Sequence, residues 1–556
     1  MTKSIPLIDL LLLLFLTIIL INYDHQANLA PEALLMVIQL GLLWGFCRIL
    51  FFLFPRVPRY VVFAILFVGV VQAMWGLGQL LGYFPSRHRL FNITGSFFNP
   101  GPYGGFIALM FPLVLHFWLR FRETSPAFRK YIFLAVGIVC MLVFPATLSR
   151  TAWIAAVVGC GLVLVFDTKL VERVKNIYHR YRKTAVVCAV AFCLLCVVAM
   201  YGIFHLNTDS ANGRLFMWKI TVLAIQDAPI TGVGLGGFSA AYADAQRAYF
   251  GSGQATEIES RVAGSPEFAF NEYLRMFLEQ GVLGGVLFLL LTFFIIKKGI
   301  RNRQIGVVGS FVALSVFAFA SYPYYLWEFT VMWVLLAAMC IAKTDRVSCC
   351  RTNPFAWQNW KTTRYNRAVA AYLWAVPCLA ILLVASFLVA KQQVPYRQAA
   401  NEWRLYQSLF IQRNYQAVVD EYARFYPLLN HRQLFLFQYA TALNRIGEFE
   451  KSNSVARRGL QISTDAVFHN IKGCNYHEMG KFAEAGKQFR SATALIPNRI
   501  YPYYRLTLLY SDTNNLHPEK MKRYAQIVLE REPRVFSAII VEMREIVREI
   551  LKKWGK

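Results

Sequence analysis

The chain has 556 residues, of which 57% are hydrophobic, 15% are aromatic and only 16% are charged. Repeated apolar runs of about 20 residues exclude an ordinary soluble globular protein and predict a chain that crosses a membrane many times. The formal net charge is +27, but the basic residues cluster between the apolar runs. Basic residues placed in this way are typical of the loops that set the orientation of a membrane protein. We therefore predict no nucleic-acid partner.

The apolar runs predict an all-α, polytopic membrane bundle with about eleven transmembrane helices and a range of ten to twelve. The predicted spans are 5–23, 32–54, 60–83, 102–121, 131–147, 151–167, 184–205, 273–296, 305–321, 324–342 and 368–391. No small-residue cleavage site follows the first run, so we interpret it as a retained helix and not as a signal peptide. Together the spans define a membrane domain over residues 1–391.

Basic residues alternate between successive loops, and this alternation predicts the orientation. The larger basic clusters lie at 120–130, 169–183, 297–303 and 343–367. The other short loops hold only Arg87, Arg89 and Arg150. Because loops rich in lysine and arginine stay on the cytoplasmic side, the N-terminus is predicted to be cytoplasmic. The long loop 206–272 and the C-terminal part are then predicted to lie outside.

From residue 392 onward the composition changes to amphipathic helices. The segments 439–460 and 471–497 share a pattern in which Gly447 and Gly480 are 33 residues apart. This period is typical of tetratricopeptide repeats, and an ordinary helical bundle is the alternative. We therefore predict a second, repeat-like domain at 392–556, with a helical surface suited to a protein partner.

Polar residues of the outer side are concentrated in four segments. These segments are 92–106, 149–151, 210–238 and 265–285. Glycine, asparagine and proline at the edge of a bilayer indicate irregular backbone, which is tolerated where it lines a cavity in the protein. We expect Asn99 and Asn271 to line such a cavity.

Arg150 and Arg214 are the residues on this side best suited to bind a pyrophosphate. A guanidinium group donates to two phosphate oxygens at once and stays charged at any relevant pH. The alternative is that each arginine pairs with a lipid headgroup or with a nearby carboxylate such as Asp227. Two arginines beside irregular loops favour a binding site over isolated pairs.

Metal and cofactor sites have no support in the outer segments. No DxD, HExxH or CxxC spacing occurs there, so no metal ion is predicted. The glycine cluster GVGLGGF at 232–238 lacks the Gly-Lys-Ser/Thr ending of a nucleotide-binding loop, and no cofactor is predicted.

Within a predicted span, Arg275 and Glu279 have the spacing of a structural ion pair on one helix face.

Four motifs in a fixed order resemble bacterial O-antigen ligases and the related O-antigen polymerases and protein O-oligosaccharyltransferases. The motifs are G-S-F-x-N (95–99), S-R-x-A-W (149–153), G-R-L-x-x-W with D-x-P-x-x-G-x-G (213–234), and N-E-Y-L with E-x-G-x-x-G (271–284). The resemblance covers about residues 90–342. A variant with a C-terminal tetratricopeptide region is also familiar in this family.

The resemblance implies a metal-independent, inverting glycan transfer on the periplasmic face of the bacterial inner membrane. The donor would be a glycan on undecaprenyl pyrophosphate, and Arg150 and Arg214 match the family arginines that bind this pyrophosphate. For a ligase the acceptor would be lipid A–core; a polymerase would use another glycan and an oligosaccharyltransferase a protein hydroxyl.

One departure from the family pattern concerns the general base. Family ligases carry histidine immediately before the asparagine of the N-E-Y-L motif, whereas this chain has Phe270. Phenylalanine cannot accept a proton. Either Glu272 or Glu267, the nearest carboxylates in sequence, supplies the base, or the reaction depends on stabilisation of the leaving pyrophosphate by arginines.

Two other classes of protein are alternatives. A polysaccharide transporter or flippase is expected to carry charged or broken-helix features near mid-membrane in matching halves, and neither is evident in the sequence. A membrane-anchored interaction protein would not need eleven spans. The sequence therefore favours a membrane glycosyltransferase whose partners are the lipid-linked glycan, its acceptor and the membrane lipids.

Overall fold

The computed structural model describes residues 7–24, 29–124, 127–168, 170–184, 208–342, 361–533 and 537–554, with isolated positions between 186 and 202. These residues form helices and no strand. The all-α, polytopic class predicted from the sequence is confirmed.

The helices of the membrane part fall into two groups separated by the long loop 206–272, which we call the outer loop after its predicted side. The first group is α1 (Leu7–Ile21), α2 (Pro31–Leu53), α3 (Val57–Leu80), α4 (Pro100–Ala108), α5 (Met110–Thr124), α6 (Ala127–Val143), α7 (Arg150–Asp167) and α8 (Leu170–Arg180). The loop contains α9 (Thr208–Asp227), α10 (Phe238–Gly251) and α11 (Glu257–Val262), and the second group is α12 (Glu272–Arg301), α13 (Ile305–Phe319) and α14 (Trp327–Ile341). Short 3₁₀ turns lie at Pro145–Thr147 and Pro323–Tyr325.

Seven segments of the described chain are long and apolar enough to cross a membrane. They are Pro31–Leu53, Val57–Leu80, Pro100–Phe121, Lys130–Thr147, Arg150–Asp167, Glu272–Arg301 and Trp374–Ile411. Three further predicted spans coincide with the shorter apolar helices α1, α13 and α14. Most of the remaining predicted span, 184–205, lies outside the described residues, as does the basic segment 343–360.

The short helices α13 and α14 lie at the centre of the bundle. Phe311 and Leu314 of α13, and Phe329 and Leu336 of α14, are fully buried. A helix that is apolar on all faces is stable only when protein or lipid surrounds it. Here the surrounding protein is α4, α5, α7, α12 and α2, so the turn that joins α13 to α14 is held in a fixed position.

Helix α12 is broken one third of the way along its length. Gly281 has φ 66° and ψ −175°, which are not helical values. The backbone of the preceding loop bonds to both sides of the break: Val233 N donates to Leu278 O and Gly234 N to Glu279 O, both at 2.9 Å, and Val282 N donates to Pro229 O at 2.8 Å. These bonds satisfy backbone groups that the break frees.

This break corrects the sequence analysis, which identified no broken helix. Glycine is frequent in membrane helices, so Gly281 alone gave no signal. The structure also gives the glycine cluster 232–238 a structural role, because its backbone is paired with α12.

The C-terminal part begins with a helix that it shares with the membrane part. Helix α15 (Lys361–Ile411) contains the last candidate span, so the predicted boundary at 391–392 falls inside one continuous helix. The following helices are α16 (Tyr415–Leu429), α17 (Gln433–Arg445), α18 (Phe449–Ile462), α19 (Val467–Glu478), α20 (Phe482–Leu495), α21 (Ile500–Ser511), α22 (Pro518–Glu530) and α23 (Ala538–Trp554). Successive helices pack on one another, and Gly447 and Gly480 occupy equivalent turns. The tetratricopeptide assignment itself stays a prediction.

The C-terminal part packs against both the outer loop and the membrane helices. Helix α10 contacts α18 and α20, and Gln246 Nε2 donates to Leu495 O at 2.6 Å. On the other side, Arg432 Nη2 lies 3.0 and 2.9 Å from the two carboxylate oxygens of Glu32, at the start of α2. The C-terminal part therefore contacts both the outer loop and the start of α2.

Candidate functional site

Arg214 of the outer loop is anchored on two membrane elements. It projects from α9, and its Nη1 donates to Thr151 Oγ1 at 3.0 Å and to Ala320 O at 2.9 Å. Thr151 lies in the first turn of α7, and Ala320 ends α13. The side chain thus connects three segments that are distant in sequence.

Arg150 is the first residue of α7 and lies next to this anchor. Burial lowers the pKa of the Arg214 guanidinium, and the positive charge of Arg150 lowers it further. The structure therefore brings together two arginines that are 64 positions apart in sequence. Two like charges repel each other, and the N-terminus of α7 adds partial positive charge, so this position is electrostatically suited to an anion.

Asp227 does not neutralise Arg214. It is exposed at the far end of the same helix, and a separation of 13 residues corresponds to roughly 20 Å along a helix. The alternative that Arg214 forms a pair with Asp227 is therefore wrong.

An aromatic group lies under the Arg214 guanidinium. The Arg214 Cζ is 5.4 Å from the centre of the Phe270 ring, which is a cation–π distance. The Phe270 ring meets Tyr322 edge-on at 5.0 Å, and Tyr322 stacks on Phe268 at 4.2 Å. Trp218 Nε1 donates to the backbone carbonyl of Phe270 at 3.2 Å, so Tyr322 contacts the ring while Trp218 bonds to the backbone.

Phe270 has a backbone conformation that large side chains rarely adopt. Its φ is 49°, in the left-handed region. For a bulky residue this conformation costs about 1–3 kcal/mol and persists only where surrounding contacts enforce it. Such strain is concentrated at functional positions.

The two candidate carboxylates have different surroundings. Glu272 is 1% exposed; its Oε1 accepts from Tyr324 N at 3.1 Å, and its Oε2 lies 2.7 Å from Arg275 Nε. Glu267 is exposed, and its charge acts on Tyr322, which also interacts with Arg214. Of the two carboxylates, Glu267 is the exposed one, and it lies near Tyr322.

The predicted ion pair of Arg275 is part of a buried triad. Arg275 Nε is closest to Glu272, whereas Arg275 Nη1 lies 3.9 Å from Glu279 Oε2. The guanidinium carbon lies 4.3 Å from the centre of the Tyr325 ring. The sequence spacing identified Glu279, which is the more distant partner of Arg275. The closer partner is Glu272, three residues before Arg275.

Both asparagines expected to line a cavity cap helices. Asn99 Oδ1 accepts from Gly101 N at 2.9 Å at the start of α4. Asn271 Oδ1 accepts from Tyr273 N and Leu274 N, both at 3.1 Å, at the start of α12. Each satisfies backbone donors that a helix start leaves unpaired.

Sequence reasoning missed Phe268 and Tyr322, and it included Thr151 in a polar segment without giving it a role. The tyrosine-rich segment SYPYY at 321–325, between two apolar runs on the predicted outer side, was the signal for Tyr322. Thr151 adjoins a motif arginine, but its contact with Arg214 depends on the fold and has no sequence signature.

Residues 141–289 match the family described as O-antigen ligase. The match includes Arg150, Arg214, Glu267 and Glu272 and leaves out Asn99 and Tyr322. A comparison with curated proteins gives no match. The family match indicates a membrane glycosyltransferase of the O-antigen ligase or polymerase type. Over residues 141–289 the chain is therefore similar to the O-antigen ligase family.

Proposed function

We propose that the protein transfers a glycan from an undecaprenyl-pyrophosphate donor to a hydroxyl of lipid A–core on the periplasmic face of the inner membrane. The observation that carries this proposal is the pairing of Arg150 and Arg214 at the N-terminus of α7. The family match supports the reaction class. The reaction needs neither a metal ion nor a cofactor in this proposal.

In the proposed reaction the acceptor hydroxyl oxygen attacks the anomeric carbon of the donor sugar. A carbon–oxygen bond forms on one face while the bond to the pyrophosphate oxygen breaks on the other, so the configuration inverts. The hydroxyl proton passes to a base, and undecaprenyl pyrophosphate leaves with the bonding electron pair. Negative charge therefore grows on the pyrophosphate in the transition state.

The arginines suit this growing charge. Positive groups that are already fixed in place stabilise a transition state without reorganisation, and this is often the largest catalytic contribution. Thr151 and the Ala320 carbonyl fix one nitrogen of Arg214, and Phe270 supports the plane of the guanidinium. The remaining Arg214 donors are then available to phosphate oxygens.

Lysine substitution tests the arginine role. Arg150→Lys and Arg214→Lys keep the charge but lose the paired donation, so we expect transfer to fall by about tenfold to a hundredfold, the value of one or two charged hydrogen bonds. The assay uses purified protein in nanodiscs with a lipid-linked glycan donor and a lipid A–core acceptor. Arg247→Lys is the control, because Arg247 lies in the same loop but pairs with Asp244. Full activity of both site variants would disprove the pyrophosphate role.

Glycan analysis of a deletion strain tests the acceptor. A ligase predicts loss of polymer on lipid A–core and accumulation of the lipid-linked donor. Single-unit chains on lipid A–core would indicate a polymerase instead, and unglycosylated proteins with normal lipopolysaccharide would indicate an oligosaccharyltransferase.

Reporter fusions test the orientation on which the site assignment depends. We expect fusions at residue 175 to report the cytoplasm, and fusions at residues 240 and 450 to report the periplasm, because the basic loops remain inside. A periplasmic signal at residue 175 would contradict the orientation and the site with it.

A further inference from the structure

An apolar cavity lies between helices α1, α2, α12 and α14, apart from the paired arginines. Its volume is about 350 Å³, and its walls include Phe15, Leu16, Met36, Trp44 and Trp333. Ligand sites in proteins have volumes of about 300–1,000 Å³ and mostly apolar walls with a few polar groups. The cavity therefore has the size and the lining of a binding site.

The cavity lies at the end of the bundle that carries the C-terminal part. Glu32 lines it and also binds His431 and Arg432 of the C-terminal part. Leu235 and Gly236, from the loop that bonds to the break in α12, complete this end. The other walls belong to α1, α2, α12 and α14, and they include Arg275 and Glu279 as well as apolar side chains.

One uncharged wall residue has an unsatisfied side chain, whereas the charged wall residues Arg275 and Glu279 belong to the buried triad. Gln280 lines the cavity and is 1% exposed, yet neither its Nε2 nor its Oε1 has a hydrogen-bond partner within the described chain. An unpaired buried amide is costly, and nearly all such groups in folded proteins have partners. Gln280 therefore points to a ligand that carries a hydrogen-bonding group within an apolar body.

We propose that the cavity binds the acyl chain of a bilayer lipid, with the carbonyl of its ester or amide linkage accepting a hydrogen bond from Gln280 Nε2. An acyl lipid places such a carbonyl directly beside a long hydrocarbon chain. An isoprenoid chain has no polar group along its hydrocarbon and leaves Gln280 unpaired. The site binds lipid whether or not a glycan is transferred, so it goes beyond the proposed function.

Photolabelling of the full-length protein tests the site. The probe is a phosphatidylethanolamine with a diazirine in its acyl chain, incorporated in nanodiscs without any glycan donor, and the labelled residues are mapped by mass spectrometry. We expect label on the cavity walls. Leu16→Trp fills the cavity and removes this label, whereas Leu14→Trp, on the exposed face of the same helix, leaves it unchanged.

A second variant separates lipid binding from a purely structural role. Gln280→Leu removes the unpaired amide, so we expect unchanged or higher thermal stability in lipid-free detergent. We also expect labelling to be about fivefold weaker, which corresponds to the loss of one neutral hydrogen bond to the lipid. Unchanged labelling in both Leu16→Trp and Gln280→Leu overturns the proposal. Stronger cavity labelling by a photoreactive polyprenyl phosphate than by the acyl probe also overturns it, in favour of an isoprenoid site.

Discussion

At the scale of single residues, the two candidates for the general base differ in their surroundings and not in residue type. Glu272 and Glu267 are both carboxylates near Phe270, but Glu272 is buried in an ion pair with Arg275, whereas Glu267 is exposed near Tyr322. A base must release and regain a proton in contact with the acceptor. This requirement favours Glu267 over Glu272.

Amide substitution separates the two carboxylates. Glu267→Gln should lower kcat by about a hundredfold or more and change its pH dependence, since the amide cannot accept a proton. Glu272→Gln should lower the free energy of unfolding by about 3–5 kcal/mol, because it removes one partner of a buried pair and leaves the Arg275 charge less compensated. Thermal unfolding and pH–rate profiles of both variants provide the check. A stable Glu272→Gln with a changed pH profile would assign the base to Glu272, and mild effects of both would leave catalysis to the arginines.

At the scale of elements, an ion-pair cluster fixes the short helix α11 to α9. The Glu259 carboxylate accepts from Lys219 Nζ at 2.6 Å, from the Tyr249 hydroxyl at 2.8 Å and from the Thr256 backbone amide at 2.9 Å. Burial alone would raise the pKa of Glu259, but these contacts outweigh it and lower the pKa to about 2. The cluster links α9, α10 and α11 of the outer loop to one another, a few residues before Glu267 and Phe270.

This cluster predicts a pH dependence of loop stability. Because the pKa of Glu259 is lowered on folding, its contribution is complete above the unfolded value of 4.5 and is lost as the pH falls toward 2. Glu259→Gln should therefore speed amide exchange in the loop by about tenfold at pH 7, a moderate effect for a cluster near the surface. The difference from the wild type should shrink between about pH 4.5 and 2. Glu257→Gln, on the same helix but exposed, is the control, and equal effects of the two variants would refute the cluster's role.

Sequence patterns predicted elements better than contacts between elements. Hydropathy identified the spans, since each apolar run must be buried in lipid or protein whatever the tertiary fold. The break at Gly281 has no such signature, because its backbone is stabilised by a loop about 50 residues earlier in the chain. Arg150 and Arg214 were found from their charge on the outer side, whereas the contacts of Thr151 and Tyr322 exist only once α7, α9 and the α13–α14 turn have assembled.

At the scale of the whole molecule, the C-terminal part is bonded to the segment that leads into the candidate site. Asn498 Nδ2 donates to Arg261 O at 2.9 Å and to Ala263 O at 3.0 Å, and Thr464 Oγ1 donates to Pro266 O at 2.9 Å. Arg499 adds a contact with Ser265 while it pairs with Asp465. These bonds end one residue before Glu267, so the repeat-like part positions the strained backbone that presents Phe270.

Loss of these bonds should loosen the site without unfolding the C-terminal part. In the double variant Asn498→Ala, Thr464→Val we expect faster amide exchange at 261–271 and a fall in transfer of about tenfold, because three carbonyls lose their donors and the backbone near Phe270 relaxes. Exchange within α17–α20 should be unchanged. Gln526→Ala is the control, since Gln526 is exposed and bonds with Glu530 on its own helix. If the double variant keeps both the wild-type exchange at 261–271 and the wild-type rate of transfer, the C-terminal part does not position the site. Its contacts with the outer loop would then contribute to stability alone.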